Sequence, residues 1–545
     1  MTRAERWTLL SAILGSGIVF LDGTVVNIAL KRIGQELPTS FFGVLEGQAY
    51  VVSGYLAVLA ALLIIAGALA DFYGRRRIFV IGLTGFGASS VLCGVAPTLE
   101  FLVLARILQG VAGALLVPGA LALITAAFDG PRRARAFGLW AASTSSLTLL
   151  GPVIGGLIVD SLSWRLAFLI NVPLVILAVW AARTHVAETR NEDADGHFDW
   201  LGAAVGAIAV GGLAFGAIRG QERQWQDALA WTSLGVGAIA LVVFPILMKV
   251  RDRPLVPLHL FAIREFAVIN LATFLVYGAL YVSFTYNALL YQGTLGYSAL
   301  AAALVGLPSS LMLIALSARV GALTDRIGSR PFLVVGPLIM ASGQLWFARL
   351  PATSAAWQAD PGRPASLVPP ADVLVDVLPA VLLFGLGISL VVAPLTSTLM
   401  DAVPARNSAL GSAINNALSR VGQPLIGAVI FVAITASFYP SLASRVPGLD
   451  PANPAIRAAI VPLNPPRSDA PVDLAASARI ASVEAFHLAA LVSAGLLVAG
   501  SAVSGIGLRG RGGRSGRAQE PSEPSRPTVL PKPTEAPEPE LDATA

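Results

Sequence analysis

Cysteine is almost missing from this chain. Cys93 is the only one in 545 residues, which excludes an intramolecular disulfide and any metal site built on several thiolates. Lysine is nearly as scarce: Lys31, Lys249 and Lys532 are the three, and none follows a glycine. No phosphate loop of the form GxxxxGK[ST] can therefore hold ATP within this chain. The four histidines, His185, His197, His259 and His487, lack HExxH spacing and have no accompanying metal-ligating cluster. GIGLRG at 505–510 fits GxGxxG, but it ends an apolar run instead of opening a helix after a strand. No cofactor, metal or catalytic residue follows from these patterns, and an enzyme is not expected. Charged residues make up only 13% of the chain. The formal net charge of +5 is dispersed over short segments instead of one basic face, so a nucleic-acid partner is not expected either.

Apolar residues, by contrast, make up 55% of the chain, and its mean hydropathy is +0.73. That lies far outside the range of soluble globular proteins, so the solvent of most of this chain is a lipid bilayer. Crossing a hydrocarbon core takes roughly 20 apolar residues in a helix. Splitting the apolar runs at charged or proline-rich breaks gives fourteen such segments: about 7–30, 49–70, 77–96, 99–124, 135–160, 164–184, 200–219, 229–250, 266–291, 299–321, 331–350, 374–400, 408–436 and 482–507. The runs are continuous and not alternating, which selects an all-α polytopic membrane protein over a β-barrel. The first run continues past Asp22 without a small-residue cleavage site and reads as a retained span, not a signal peptide.

An even number of spans places both termini on one side. Arginine and lysine recur in alternate connections, at Arg75, Arg76 and Arg77, at Arg132, Arg133 and Arg135, at Lys249, Arg251 and Arg253, and at Arg326 and Arg330. Arg3, Arg6 and the tail RGRGGRSGR fall on the same side, which the positive-inside rule makes cytoplasmic. Lys31, Arg32, Arg219 and Arg223 run against the trend without reversing it. Residues 437–480 hold eight prolines and read as a long external loop. Residues 508–545 pass from a basic stretch into a proline- and glutamate-rich segment, disordered by composition, whose basic start suits anionic headgroups.

A charged turn is written twice. GALADFYGRRR begins at residue 67 and GALTDRIGSR at residue 321, both on the basic side, after the second and tenth spans. Gly67 permits close helix approach, Gly74 a tight turn, and Asp71 can pair with the arginines or with a neighbouring helix N-terminus. Parallel repeats of this kind are the pattern of the major facilitator transporters, built from two six-helix halves. The first copy, with Gly67, Asp71, Gly74, Arg75, Arg76 and Arg77, resembles that superfamily's cytoplasmic gate motif, and Asp325 marks the weaker second copy. An eight-span offset between copies implies two helices inserted between the halves. The expected organisation is a half at 1–190, two additional helices at 191–255, a second half at 256–507 and the tail at 508–545.

Within the spans, polar residues mark candidate sites. FLDGTVVNIAL at 20–30 places Asp22 and Asn27 at membrane depth, where a carboxylate costs on the order of 3 kcal/mol. Asp22 is a proton switch, or it lies near an interface, or it is a structural hydrogen-bonding group. In LARILQGVAGALLVPGA, Arg106 and Gln109 stand among apolar residues, and an arginine there needs a carboxylate, carbonyl dipoles, water, or an interface to snorkel to. LLGPVIGGLIVD at 149–160 carries Gly151 and Pro152, which would kink a helix, and Gly155 and Gly156, which admit a neighbouring backbone. GSAINNALSRVGQPLIGA at 411–428 supplies Asn415, Asn416 and Arg420 for either a wet cavity or interhelical hydrogen bonds.

These stretches, with SWRLAFLINVP at 163–173, resemble the fourteen-span drug:proton antiporters. The departures are Lys31 where the family has proline and Leu147 where its fuller glycine pattern has glycine. The resemblance implies proton-driven export of small amphipathic molecules from a bacterial inner membrane, with protons coupled through Asp22 and Arg106, by a monomer. A proton-coupled uptake symporter of the same fold and a non-transporting receptor or scaffold are the alternatives.

Overall fold

The computed structural model describes residues 1–40, 44–190, 198–223, 225–252, 254–360, 362–404, 407–450, 453, 456, 460–464 and 472–508. The tail from 509 onward lies outside them. All regular elements among these residues are helical: α1 (Arg3–Glu36), α2 (Val44–Tyr73), α3 (Arg75–Gly94), α4 (Leu99–Ala114), α5 (Leu116–Ala127), α6 (Gly130–Ser161), α7 (Leu166–Leu169), α8 (Asn171–His185), α9 (Trp200–Glu222), α10 (Ala228–Val250), α11 (His259–Ala262), α12 (Arg264–Leu289), α13 (Ala299–Ile327), α14 (Arg330–Phe347), α15 (Leu378–Ala402), α16 (Ser408–Arg445) and α17 (Val472–Gly507). Twelve helical segments among the described residues are long and apolar enough to cross a membrane. The helix α6, of 32 residues, and α14, of 18, stand outside that set.

Local chemistry explains where the helices begin and break. Thr2 and Glu5 form a capping box on α1, and Thr98, Asp199, Asp227 and Ser298 accept from first-turn backbone N–H groups of α4, α9, α10 and α13. The interruption between α4 and α5 at Leu115 falls just before Pro118, which has no N–H to give the carbonyl four residues back. Pro173 stands in the same relation to the interruption at Ile170 between α7 and α8.

One packing scheme occurs twice. α1 lies against α6 and α8, α2 against α4, and α3 against α4 and α8. Likewise α12 lies against α16 and α17, α13 against α15, and α14 against α15 and α17. The two sets meet through α2 with α16 and α6 with α13, again a matched pair of contacts. α9 packs on α10 and also touches both α2 and α16.

The external loop expected at 437–480 is shorter than its prolines suggest. α16 continues through Pro440 to Arg445, and α17 already starts at Val472. Phe438, Tyr439 and Leu442 are buried on one face, which holds the extension despite Pro440. At the start of α17, Arg479 donates to the carbonyls of Ala352 and Ser354 at 2.7 and 2.6 Å. Tertiary packing outweighs composition at both ends of that segment.

Candidate functional site

Asp22 is completely buried in α1 and is held by side chains from α4 and α8, which a serine of α3 in turn supports. Its Oδ2 accepts from Arg106 Nη1 at 2.5 Å, and its Oδ1 accepts from Gln109 Nε2 at 3.2 Å and Asn171 Nδ2 at 3.1 Å. Ser90 Oγ accepts from the same two amides, at 2.8 and 3.3 Å. Arg106, equally buried, also donates Nε to the Val51 carbonyl at 3.0 Å and Nη1 to Gln109 Oε1 at 2.6 Å. Its guanidinium stacks 4.0 Å from the Tyr55 ring centroid. The expectation that Arg106 could instead snorkel to a face does not hold, because burial is total and a carboxylate, a carbonyl and an aromatic face all surround the cation. A single acid and a single arginine thus occupy one sealed polar knot inside the first helix set.

The first charged turn is assembled as its sequence allows. Gly74 has φ of +107°, a conformation side chains resist, and a Cβ on Gly67 would fall 2.4 Å from Ala413 Cβ and 2.6 Å from the Ala409 carbonyl oxygen. That glycine lets α2 touch the start of α16. Asp71 then accepts from Arg75 Nε and Nη2 at 3.0 and 2.9 Å and from the Leu410 backbone N–H at 2.9 Å. Both anticipated partners, the arginine and a helix N-terminus, bind the one carboxylate. Arg76 is half-buried and Arg77 exposed, and their backbone N–H groups donate to Glu188 at 3.0 Å each. Glu188 therefore caps α3 from across the fold. In the second copy Asp325 is exposed and makes no ion pair among the described residues, while Arg330 donates to the Gly505 carbonyl. The two copies are unequal in structure as in sequence.

Glycines bring α6 onto α1. A Cβ on Gly151 would strike Thr24 Oγ1, and one on Gly155 would lie 3.1 Å from Val25 Cγ1. α6 runs unbroken through this stretch. Leu147, standing where the family pattern has glycine, is accommodated by Gly17, whose Cβ would fall 2.2 Å from Leu147 Cδ1. The side chains of Asn27 and Pro152, and the surroundings of Gly156, lie outside the described residues.

In the second helix set Asn415 donates to Asn270 Oδ1 at 3.2 Å and to Thr273 Oγ1 at 2.8 Å, joining α16 to α12. Asn416 turns back on its own helix, donating to the Ser412 carbonyl at 2.9 Å. Arg420 is half-buried between the rings of Phe20 and Tyr281. The structure therefore brings Asp22, Arg106 and Gln109 together, and separately Asp71 with Arg75, but keeps Asn415 and Asn416 out of both groups.

Asn171, Ser90, Tyr55 and Glu188 were not singled out from the sequence. Asn171 carried a usable signal, an amide inside the apolar run 166–182. Ser90 and Tyr55 carried none, since either residue is common in membrane helices. Among the described residues no group of three His, Cys, Asp or Glu side chains is close enough to hold a metal ion.

Residues 12–427 match the model of the Major Facilitator Superfamily, and the chain belongs to that superfamily of membrane transporters, not to an enzyme family. It is 31% identical over 466 residues to the multidrug resistance protein Stp of Mycobacterium tuberculosis, a match covering 85% of this chain and 82% of Stp. With the puromycin resistance protein pur8 of Streptomyces alboniger it shares 33% identity over 428 residues, 77% of this chain and 80% of that one. Among solved structures, the human organic anion transporter MFSD10 superposes with a TM-score of 0.56 over 92% of this chain and 100% of its own, at 14% identity. That likeness is one of fold alone.

Proposed function

We propose that this transporter is a fourteen-span drug:proton antiporter of the bacterial inner membrane, exporting small amphipathic molecules by alternating access. The observation that carries the reading is the sealed Asp22–Arg106 pair. Arginine does not give up its proton, so a proton taken up by this pair goes to the carboxylate of Asp22. Protonating it leaves Arg106 with the Val51 carbonyl, Gln109 and the Tyr55 ring. That loss is felt at once by α1, α4 and α8, whose side chains converge there. Asp22 is too deeply enclosed to meet a substrate, so proton and substrate act at separate places and are coupled through helix movement. The resistance named in Stp and pur8 supports drug-like cargo.

α6 and α14, at about 48 and 27 Å by helical rise, are each long enough to cross and bring the spans to fourteen. Both termini are then cytoplasmic. The halves are 1–190 and 256–507, with 191–255 supplying the additional pair and 508–545 a cytoplasmic tail, and the doubled packing scheme supports this division. The Asp71–Leu410 contact, the Gly67 approach and the approach of Gly138 to Ala318 join the halves at the basic end. We read this as the state closed to the cytoplasm, with Asp71 and Arg75 as its latch. An external proton reaching Asp22 loosens the knot, the halves rock, and the proton leaves inward as substrate is loaded. A monomer suffices for this cycle. One proton crossing 100 mV supplies about 2.3 kcal/mol, enough for roughly a fiftyfold gradient of a neutral solute. Everted vesicles carrying Asp22→Asn should lose proton-driven substrate accumulation, and undiminished accumulation would remove Asp22 from the coupling.

A further inference from the structure

We infer that the cleft between the two halves selects amphipathic molecules bearing an anionic or electron-rich oxygen group, and that Arg420 receives that group. The inference rests on the export reading above and adds the class of substrate. Arg420 lies in the first half of α16, its guanidinium 5.6 Å from the Phe20 ring centroid on α1 and 5.5 Å from that of Tyr281 on α12. α1 does not pack closely against either α12 or α16. At this level the two helix sets approach one another through side chains, and Phe20, Tyr281 and Arg420 are all left half-buried. Among the described residues no carboxylate pairs with Arg420 and no acceptor takes a hydrogen bond from its guanidinium.

Charge in the middle of the described helices is simple. Asp22 and Arg106 occupy each other inside the first helix set, with no exposed surface to speak of. Arg420, by contrast, is half-buried and without an ion pair among the described residues, so its cation is open to the space between the two helix sets. A lipophilic cation entering there would meet an uncompensated like charge at low dielectric, and among the described residues no acid pairs with Arg420 to offset it. A carboxylate, sulfonate or phenolate would instead gain charge-assisted hydrogen bonds from the planar guanidinium fork. Its aromatic body would meet Phe20, Tyr281 and also Tyr277, whose ring lies 6.0 Å from that of Tyr281. Arg420 beside two rings is thus a hydrogen-bond-donating head for an oxygen group, with an aromatic cradle. A ring pair alone would serve the cation without leaving it half-open to the cleft.

The test uses the full-length protein and two radiolabelled probes matched in size and opposite in charge, 1-naphthoate and 1-naphthylmethylammonium. Binding is measured in detergent, and flux in proteoliposomes under an imposed proton gradient, for the wild type, Arg420→Gln and Arg420→Lys. The wild type should bind naphthoate in preference. Arg420→Gln should weaken naphthoate about tenfold or more while leaving the ammonium probe unchanged or tighter, with Arg420→Lys between. A wild-type preference for the ammonium probe, or an equal loss of both probes in Arg420→Gln, overturns the inference. The wild-type preference is read without any variant, so misfolding of a variant does not shield it. Proton-driven flux of the ammonium probe alone would sink the substrate class and leave export standing. Naphthoate binding with no proton-driven flux of either probe would support the class and sink export.

Discussion

Replacing Asp22 with asparagine keeps the shape of the side chain but strands a buried cation. The remaining oxygen can still accept from Gln109 Nε2 and Asn171 Nδ2, now at 3.2 and 3.1 Å. The other carboxylate oxygen, which receives Arg106 Nη1 at 2.5 Å, becomes an amide that faces a donor with a donor. Arg106 cannot neutralise itself, so the full cost of an unpaired buried charge falls on the folded state, about 3–5 kcal/mol. Replacing Arg106 with methionine in the same chain removes the stranded charge. The double variant Asp22→Asn/Arg106→Met should then be more stable than Asp22→Asn alone, although it also loses the Val51 hydrogen bond and the stack on Tyr55. Equilibrium unfolding of the four purified proteins, wild type, two singles and the double, gives the coupling directly. A double variant no more stable than Asp22→Asn would refute the stranded-charge account, and with it the reason for expecting protonation of Asp22 to move helices.

Four further outcomes follow from the geometry. Gly67→Leu should force α2 from α16, since even a Cβ falls 2.4 Å from Ala413, and the overpacking of about 1–3 kcal/mol should appear as cytoplasmic accessibility of a cysteine placed at Ser412. At Asp71, asparagine can still accept from the Leu410 N–H while alanine cannot, so Asp71→Ala should lower transport in vesicles more than Asp71→Asn. Gly17→Ala should destabilise the fold by pressing on Leu147, and Leu147→Ala added to it should restore most of the loss in a thermal melt. Glu188→Ala uncaps α3 at the Arg76 and Arg77 N–H groups and should cost about 1 kcal/mol in unfolding, with Glu188→Gln milder.

That the chain is an all-helical, multi-span membrane protein could be read from its sequence because the bilayer imposes one length and one polarity on each crossing. Several apolar runs therefore end within a few residues of a helix, as at 229–250 against Ala228–Val250. At 437–480 the prolines suggest a loop throughout, whereas buried Phe438, Tyr439 and Leu442 extend helix as far as Arg445 and helix resumes at Val472. Gly67, Asp71 and Gly74 were legible because a tight turn and a close approach each demand a particular residue at a particular place. Asp22 and Arg106 were legible as costly residues that required partners. Which partners they have depends on four helices separated by up to 149 residues in sequence, and no local pattern encodes that distance. Tertiary structure alone decided that Asn171 and Ser90 close the knot, that Glu188 caps α3, and that Asn415 is occupied with Asn270. It also decided that Arg420 lies near two aromatic rings and has no ion pair among the described residues, because burial and pairing are properties of the packed helices and not of the order of residues along them.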